Sequence, residues 1–222
     1  MGRAPVLIVL AATSLGLSAC GSSHSKAATP SPASGTASSG GCRTVSAPAP
    51  KGQQQLSKPR LTLKRGRTYI ARMVTNCGEI DIRLDVARAP KTSASFAYLI
   101  RRGFYNGLTF HRIVPGFVIQ GGDPLGNGSG GPGYTVIEKP PANLRYTRGV
   151  VAMAKAGTEP PGASGSQFFI VTAATAPLTP DYALVGQVVG GDAVVSRIAA
   201  VPTAGEQPQQ PVVIEKVTLQ QQ

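Results

Sequence analysis

FHRIVPGFVIQGGD, the sequence of residues 110–123, decides the fold. Two short runs of β-branched and aromatic residues flank a Pro-Gly pair, which is typical of strands joined by a turn. Arg112 and Gln120 are the polar exceptions within these runs. A second stretch, GSQFFI at residues 165–170, places two aromatic residues behind a polar one. Both stretches predict strands of a folded core that carry a few polar side chains.

Residues 69–85 predict a β-hairpin. Between residues 79 and 85, polar and apolar residues alternate without interruption, as in a strand with one buried face. Residues 69–75 supply the partner strand, and the segment Asn76-Cys77-Gly78 supplies the turn.

Two helices are predicted, each with an apolar stripe. The first contains Pro90 in its first turn and ends at Gly103, after two basic residues that complement the helix dipole. Its stripe consists of Phe96, Leu99 and Ile100. The second helix begins at Asp192 as N-cap. Its stripe consists of Val194, Val195 and Ile198.

Composition narrows the fold class. The 222 residues favour one domain with additional segments. With 27 glycines, 19 prolines, 5% aromatic residues and no Trp, turns must carry much of the fold, which argues against an all-helical bundle. The sequence predicts a mainly β fold: a closed eight-stranded antiparallel β-barrel with two capping helices and a ligand site on its outside or rim. The strand-like runs are residues 69–75, 79–85, 110–114, 117–120, 149–154, 167–172, 183–189 and 212–219.

The two opening stretches resemble the two most characteristic motifs of the cyclophilins, a family of peptidyl-prolyl cis/trans isomerases. Their spacing in the chain agrees as well. The resemblance extends from about Thr68 to Leu219 and includes the segments at residues 89–92, 130–134 and 149–154.

The resemblance implies a catalytic role for Arg112 and an apolar pocket for the substrate proline ring. Phe117, Phe169 and Leu178 would line that pocket, and Gln120 would orient the substrate backbone. The resemblance also places Met153, Gln167, Tyr182 and the backbone of Lys155 and Ala156 in the substrate-binding site. We expect no cofactor and no metal, since the sequence has no cluster of His, Cys or carboxylate residues with metal-ligand spacing.

The chemistry explains these residue types. Rotation about an X-Pro bond faces a barrier of about 18 to 20 kcal/mol because the C–N bond has partial double-bond character. An enzyme need only bind the twisted amide better than either planar form. The twisted proline nitrogen becomes a hydrogen-bond acceptor, and an arginine offers a charged, planar set of N–H donors.

Other functions are also considered. The same fold could act as a proline-segment binding module or holdase with little turnover, and an assay on an Ala-Pro peptide separates that function from catalysis. A basic surface protein that binds acidic polymers is a third class. A hydrolase would need His111 as its base, but no nucleophile-elbow pattern accompanies it, so we interpret His111 as structural.

The N-terminus predicts export and lipidation. Residues 1–19 have the basic start, apolar run and small residues of a signal peptide. The segment Leu17-Ser18-Ala19-Cys20-Gly21 resembles a bacterial lipobox, so Cys20 would become the lipidated N-terminus; the alternative is a soluble secreted protein. We therefore expect a protein that is lipid-anchored on the extracytoplasmic face of the cell membrane, where it assists folding of proline-containing unfolded or extended polypeptides. We also expect it to be a monomer.

Residues 20–66 predict a disordered, basic tether before an isomerase domain at residues 67–222. The tether is rich in small and polar residues and lacks the apolar density needed to offset chain entropy. The formal net charge is +12, but export and the lack of interleaved aromatic residues argue against nucleic acid as a partner. A weaker alternative is contact of the basic residues with anionic lipids or cell-wall polymers.

Two further cysteines predict a disulfide. With Cys20 lipidated, Cys42 and Cys77 remain as an even pair in an exported chain. We expect them to join the end of the tether to the first hairpin, which would stabilise the fold by roughly 4 kcal/mol. The alternative is two unpaired thiols.

Overall fold

The computed structural model describes residues 41–222 of the chain. Two helices occur there, α1 (Pro90–Arg101) and α2 (Asp192–Ala199). The strands are β1 (Tyr69–Thr75), β2 (Gly78–Leu84), β3 (Leu108–Thr109), β4 (Arg112–Val114), β5 (Val118–Gly121), β6 (Val136–Ile137), β7 (Val150–Met153), β8 (Ala163–Ser164), β9 (Phe168–Val171), β10 (Leu184–Gly190), β11 (Thr203–Ala204), β12 (Gln207–Pro208) and β13 (Val213–Gln221).

One antiparallel sheet of nine strands dominates the fold, in the order β3-β13-β1-β2-β10-β7-β9-β5-β4. Its two end strands, β3 and β4, follow each other in the chain, so the sheet curls into a half-barrel. The mainly β prediction is confirmed, but the closed eight-stranded barrel is not. The additional strand is β3, which lies just before the predicted strand at residues 110–114. The chain leaves the sheet at Phe110 and His111, so β4 begins only at Arg112.

The predicted hairpin is confirmed. β1 pairs with β2 from Ile70↔Arg83 to Thr75↔Gly78, and Asn76 and Cys77 form the turn. Gly78 has a positive φ of 128°, and a Cβ at this position would lie 2.7 Å from the Val194 side chain. The turn therefore requires glycine both for its backbone and for its packing against α2.

The predicted first helix is also confirmed, with Pro90 at its start and Arg101 in its last turn. No side chain at its own N-cap binds the free N–H groups. Glu138 does so instead: its carboxylate accepts from the backbone N–H groups of Lys91 (3.1 Å) and Thr92 (2.7 Å). A carboxylate at this end also complements the helix dipole.

The second helix differs from the prediction at its start. Gly191, not Asp192, is the N-cap, in a left-handed conformation with a φ of 82°. A Cβ at Gly191 would lie 2.1 Å from the carbonyl oxygen of Glu79, which excludes a larger residue. Asp192 is the first helical residue and pairs with Arg148. Val195 and Ile198 are buried as predicted.

The core consists of two apolar clusters on opposite faces of the sheet strands. The larger lies inside the curl and contains α1 and a group of edge-to-face aromatic rings, Phe96, Tyr105, Phe110 and Phe168. The smaller contains Phe169, Tyr146 and Leu184. Such aromatic pairs add about 0.5 to 1.5 kcal/mol each beyond their area burial.

Residues 41–66 differ from the predicted tether because they lie against the sheet. Leu63 is buried, and Leu56 and Leu61 pack on the large cluster. Cys42 forms a disulfide with Cys77. These few anchors suffice although the segment has no regular secondary structure before residue 65. The rest of the predicted tether and the signal peptide lie outside the described residues. Neither helix within residues 41–222 is long and apolar enough to cross a bilayer.

Candidate functional site

The strand register brings the polar exceptions of the two motifs together. Arg112 on β4 pairs with Gln120 on β5, and Gln120 pairs with Phe169 on β9. Phe169 in turn pairs with Ala152 on β7. Directly paired residues of an antiparallel sheet share one face, so these four side chains form a row across the sheet.

Arg112 is held by two side chains. Its Nε and Nη2 donate to the two carboxylate oxygens of Glu206 at 2.5 and 3.1 Å, and its Nη1 donates to Oε1 of Gln120 at 3.1 Å. Glu206 lies in the turn between β11 and β12, and its carbonyl accepts from the backbone N–H of Ile113 at 2.8 Å. The Arg112 guanidinium lowers the pKa of the Glu206 carboxyl, mainly through these hydrogen bonds.

A chain of amide hydrogen bonds continues from Arg112. Gln120 Nε2 donates to Oε1 of Gln167 at 3.0 Å. Gln167 Nε2 donates to the carbonyls of Gly128 and Gly130, each at 2.9 Å. Because each amide has both a donor and an acceptor in use, the network fixes the orientation of Gln120 relative to Arg112.

An apolar slot opens beside Arg112. Its volume is about 140 Å³. Pockets that bind drug-sized ligands measure about 300 to 1,000 Å³, so the slot has room only for one small ring or side chain. It is lined by Arg112, Phe117, Val118, Gln120, Ala154, Lys155, Phe169, Leu178 and Tyr182.

The far wall of the slot depends on Tyr146, a residue that the sequence analysis missed. Its hydroxyl donates to the carbonyl of Tyr182 at 2.7 Å and accepts from the Tyr182 N–H at 3.0 Å. Burial raises the pKa of Tyr146 to about 12, so the hydroxyl stays protonated. The Tyr182 ring meets Phe169 edge to face at 5.5 Å, and Lys155 Nζ lies 5.6 Å from the centre of the Tyr182 ring.

A larger pocket of about 560 Å³ lies beside the slot. The two share Gln120, Ala154 and Lys155 along their boundary. The larger pocket is lined mostly by glycine backbone and polar side chains, including Gln167 and Glu159. An extended peptide that occupies the slot can therefore continue into this larger, polar pocket.

The structure brings most of the predicted site residues together. Seven of them line the slot, and Ala156 and Gln167 line the larger pocket. Met153 does neither. It is buried in the large core cluster, so the prediction that it binds substrate disagrees with its position. The seven residues are Arg112, Phe117, Gln120, Lys155, Phe169, Leu178 and Tyr182.

Val118 and Ala154 line the slot although the sequence analysis did not name them. The alternation of side chains along a strand could have found Ala154, because it follows Met153 and therefore points to the other face. Val118 lies two residues before Gln120 and on the same face by the same rule. Glu206 carried no sequence signal.

His111 takes no part in this site. Both ring nitrogens are shielded from solvent and have no hydrogen-bond partner among residues 41–222. Burial lowers the pKa of its imidazole. Within the same range, no group of three or more His, Cys, Asp and Glu side chains is placed to hold a metal ion.

Comparison with known proteins gives a consistent result. Residues 70–219 match the family model described as cyclophilin type peptidyl-prolyl cis-trans isomerase/CLD. Peptidyl-prolyl cis-trans isomerase B of Streptomyces anulatus is 42% identical over 170 residues, covering 68% of this chain and 95% of that protein. Peptidyl-prolyl cis-trans isomerase A of Mycobacterium tuberculosis is 39% identical over 171 residues, covering 68% and 92%.

Solved structures agree with these sequence matches. A cyclophilin type peptidyl-prolyl cis-trans isomerase of Cryptosporidium parvum superposes with a TM-score of 0.65 at 30% identity, covering 69% of this chain and 98% of that one. The same protein in the presence of the dipeptide Ala-Pro gives a TM-score of 0.64 over 68% and 98%. With the motif spacing, the curled sheet and the arginine beside an apolar slot, these matches show that the chain belongs to the cyclophilin-type peptidyl-prolyl cis-trans isomerases.

Proposed function

We propose that the chain isomerises X-Pro bonds of exported polypeptides on the outer face of the cell membrane, anchored through a lipid on Cys20, with Arg112 as its catalytic residue. The observation that carries this proposal is a guanidinium with unused N–H groups at the edge of an apolar slot. A proline-containing segment in an unfolded or extended polypeptide is the substrate.

Arg112 keeps donors available for substrate. A guanidinium has five N–H groups. Three of them bind Glu206 and Gln120, which leaves one on Nη1 and one on Nη2. As the X-Pro amide twists, its nitrogen loses conjugation and its lone pair accepts one of these N–H groups. Planar cis and trans forms offer no such acceptor, so the contact stabilises the transition state selectively.

The slot anchors one side of the bond while the other rotates. Phe117, Phe169 and Leu178 supply apolar surface for the proline ring. The acyl side carries the preceding residue toward Lys155, whose backbone N–H and carbonyl have no hydrogen-bond partner within residues 41–222. These groups can pair with an extended substrate, and the apolar walls strengthen the Arg112 contact by excluding water.

The cysteines support a location outside the cytoplasm. Disulfides form and persist in oxidising compartments, and the Cys42–Cys77 bridge would be reduced in the cytoplasm of most bacteria. The signal peptide and lipobox residues supply the second line of support. Cys20 itself lies outside the described residues, so the argument for its lipidation is the sequence alone.

An exchange experiment tests the isomerase activity. NMR exchange or a protease-coupled assay on an Ala-Pro peptide measures interconversion with and without the protein. We expect substoichiometric protein to accelerate exchange well above its spontaneous time of tens to hundreds of seconds. If the protein binds the peptide but does not accelerate its cis/trans exchange, the chain is a proline-binding module and not an enzyme.

Metabolic labelling tests the anchor independently. A labelled lipid precursor should mark the wild type and leave Cys20→Ala unmarked, because the acyl groups attach to this cysteine. The wild type should sediment with membranes. Equal labelling of both proteins would contradict the lipid anchor and leave the isomerase activity unaffected.

A further inference from the structure

A segment outside the nine-stranded sheet forms one wall of the larger pocket. We call residues 51–56 the strap. The backbone N–H of Lys51 donates to the carbonyl of Pro124, and that of Leu56 donates to the carbonyl of Pro132, both at 2.8 Å. Between these two contacts, Gln53, Gln54 and Gln55 line the pocket. The strap therefore lines the pocket and is hydrogen-bonded to the rest of the fold at both of its ends.

Further contacts fix the position of the strap. Lys51 Nζ donates to the carbonyl of Phe104 at 2.8 Å, and Leu56 packs on the core. A Cβ at Gly133 would lie 2.7 Å from the carbonyl oxygen of Gln54, so strap and pocket backbone are in close contact. Upstream, the Cys42–Cys77 disulfide ties the segment to the first hairpin.

The three glutamines have different roles within the strap. Gln54 Nε2 donates to the carbonyls of Lys51 (3.1 Å) and Gly52 (3.2 Å), so this side chain supports the conformation of the strap. Gln53 and Gln55 are exposed, and their side-chain amides form no hydrogen bond with residues 41–222. These two amides are therefore available to a ligand in the pocket.

The chemistry of the pocket complements a polar side chain. Besides the strap, the pocket is lined by Gln167, Lys155 and Glu159 and by several glycines. An amide offers both donors and an acceptor. A substrate side chain with both kinds of group, such as that of Gln or Asn, can pair with the strap amides, whereas an aliphatic side chain cannot.

We infer that the strap determines specificity: Gln53 and Gln55 bind a hydrogen-bonding side chain of the substrate, two residues before the proline. This inference rests on the proposed function, because it follows the substrate backbone from the slot past Lys155 into the larger pocket. The strap thus makes a segment outside the catalytic sheet part of the binding surface.

A pair of peptides tests the inference. They share an Ala-Pro core and differ only in the residue before the Ala, which is Gln in one and Leu in the other. The measured quantity is the ratio of kcat/KM for the Gln peptide to that for the Leu peptide. Because one hydrogen bond contributes about 0.5 to 1.5 kcal/mol, we expect a wild-type ratio of about 3 to 10.

The double variant Gln53→Ala/Gln55→Ala should lower this ratio to about 1, since both free amides are gone and Gln54 still supports the strap. The matched control is Gln221→Ala/Gln222→Ala, two exposed glutamines at the end of β13, which should keep the wild-type ratio. A ratio that is equal in the wild type and the strap variant would overturn the inference. A wild type that accelerates neither peptide would instead refute the proposed function.

Discussion

Two regions place polar groups at the edge of the core: the Arg112 face, which is the row of Arg112, Gln120, Phe169 and Ala152, and the Cys77 turn, which is Asn76 and Cys77. They differ in how many of these polar groups have a hydrogen-bond partner within the protein. At the turn, the Asn76 amide donates to the carbonyls of Arg43 (2.7 Å) and Pro211 (3.1 Å) and accepts from the Val213 N–H (2.8 Å). Asn76 is buried, and both ends of its amide have partners. Its hydrogen bonds join three distant segments of the chain.

Arg112 is one third exposed and keeps two N–H groups without a partner. Leaving a buried polar group unpaired costs about 1 to 3 kcal/mol, whereas the free N–H groups of the partly exposed Arg112 side chain can bind solvent or substrate. The turn therefore contributes to the fold, whereas the free donors of Arg112 match the catalytic role that we propose for it. Substitutions on the two regions should therefore separate stability from activity.

The largest effect is expected for Arg112→Ala. Loss of a preorganised donor to the transition state lowers rates by about 100- to 1,000-fold, so kcat/KM on an Ala-Pro peptide should fall by that amount. Stability should change by less than about 1 kcal/mol, because the ion pair with Glu206 is exposed. Arg88→Ala, which removes another exposed ion pair, is the control for activity. An Arg112→Ala protein within threefold of wild-type turnover would contradict the catalytic role.

Removal of the disulfide should show the opposite pattern. Cys42→Ala/Cys77→Ala opens a loop between residues 35 positions apart, and the chain-entropy model gives a loss of about 4 kcal/mol in the free energy of unfolding. Denaturant titration measures this loss. At denaturant concentrations below the unfolding transition, kcat/KM on an Ala-Pro peptide should stay near the wild-type value. Identical unfolding midpoints for the oxidised and reduced wild type would show that the bridge adds no stability.

The smallest effect is expected for Glu206→Gln, which removes the charge that positions Arg112. Loss of about 1 kcal/mol of charge-assisted hydrogen bonding predicts a three- to tenfold lower kcat/KM at neutral pH. Arg112 lowers the pKa of Glu206, so the wild-type carboxylate is ionised at neutral pH and protonated only below its usual range.

The pH profile distinguishes positioning from a general structural role. The advantage of the wild type over Glu206→Gln should be constant near neutral pH and disappear as the pH falls through the lowered pKa of Glu206. The measurement is kcat/KM of both proteins from neutral pH to the acid limit of folding. A constant ratio of the two across that range would show that the charge of Glu206 does not support Arg112.

Features with a local signal were predictable from the sequence. Alternation over residues 79–85 gave β2, and Pro90 with the apolar stripe of α1 gave that helix, because both patterns reflect burial of one face. Seven of the nine residues that line the slot had been named from the resemblance to the cyclophilins, and Val118 and Ala154 had not. Met153 was misplaced because a motif position alone does not say which face of a strand a side chain occupies.

Features that depend on distant contacts were not predictable. Glu206 lies 94 residues beyond Arg112 in a short turn, and only the folded chain brings the two together. The strap has the composition of a disordered tether, yet a few leucines, backbone hydrogen bonds and one disulfide hold it in place. Composition measures average apolar density and does not detect such sparse anchors.

The path of residues 42–63 determines where this protein can be shortened without damage. A recombinant chain that begins at residue 67, two residues before β1, would leave Cys77 as a lone thiol and expose the surface now covered by Leu56, Leu61 and Leu63. It would also lack one side of the larger pocket. A shortened chain that carries the isomerase domain should therefore begin upstream of Cys42. It should be expressed in a host compartment that oxidises thiols.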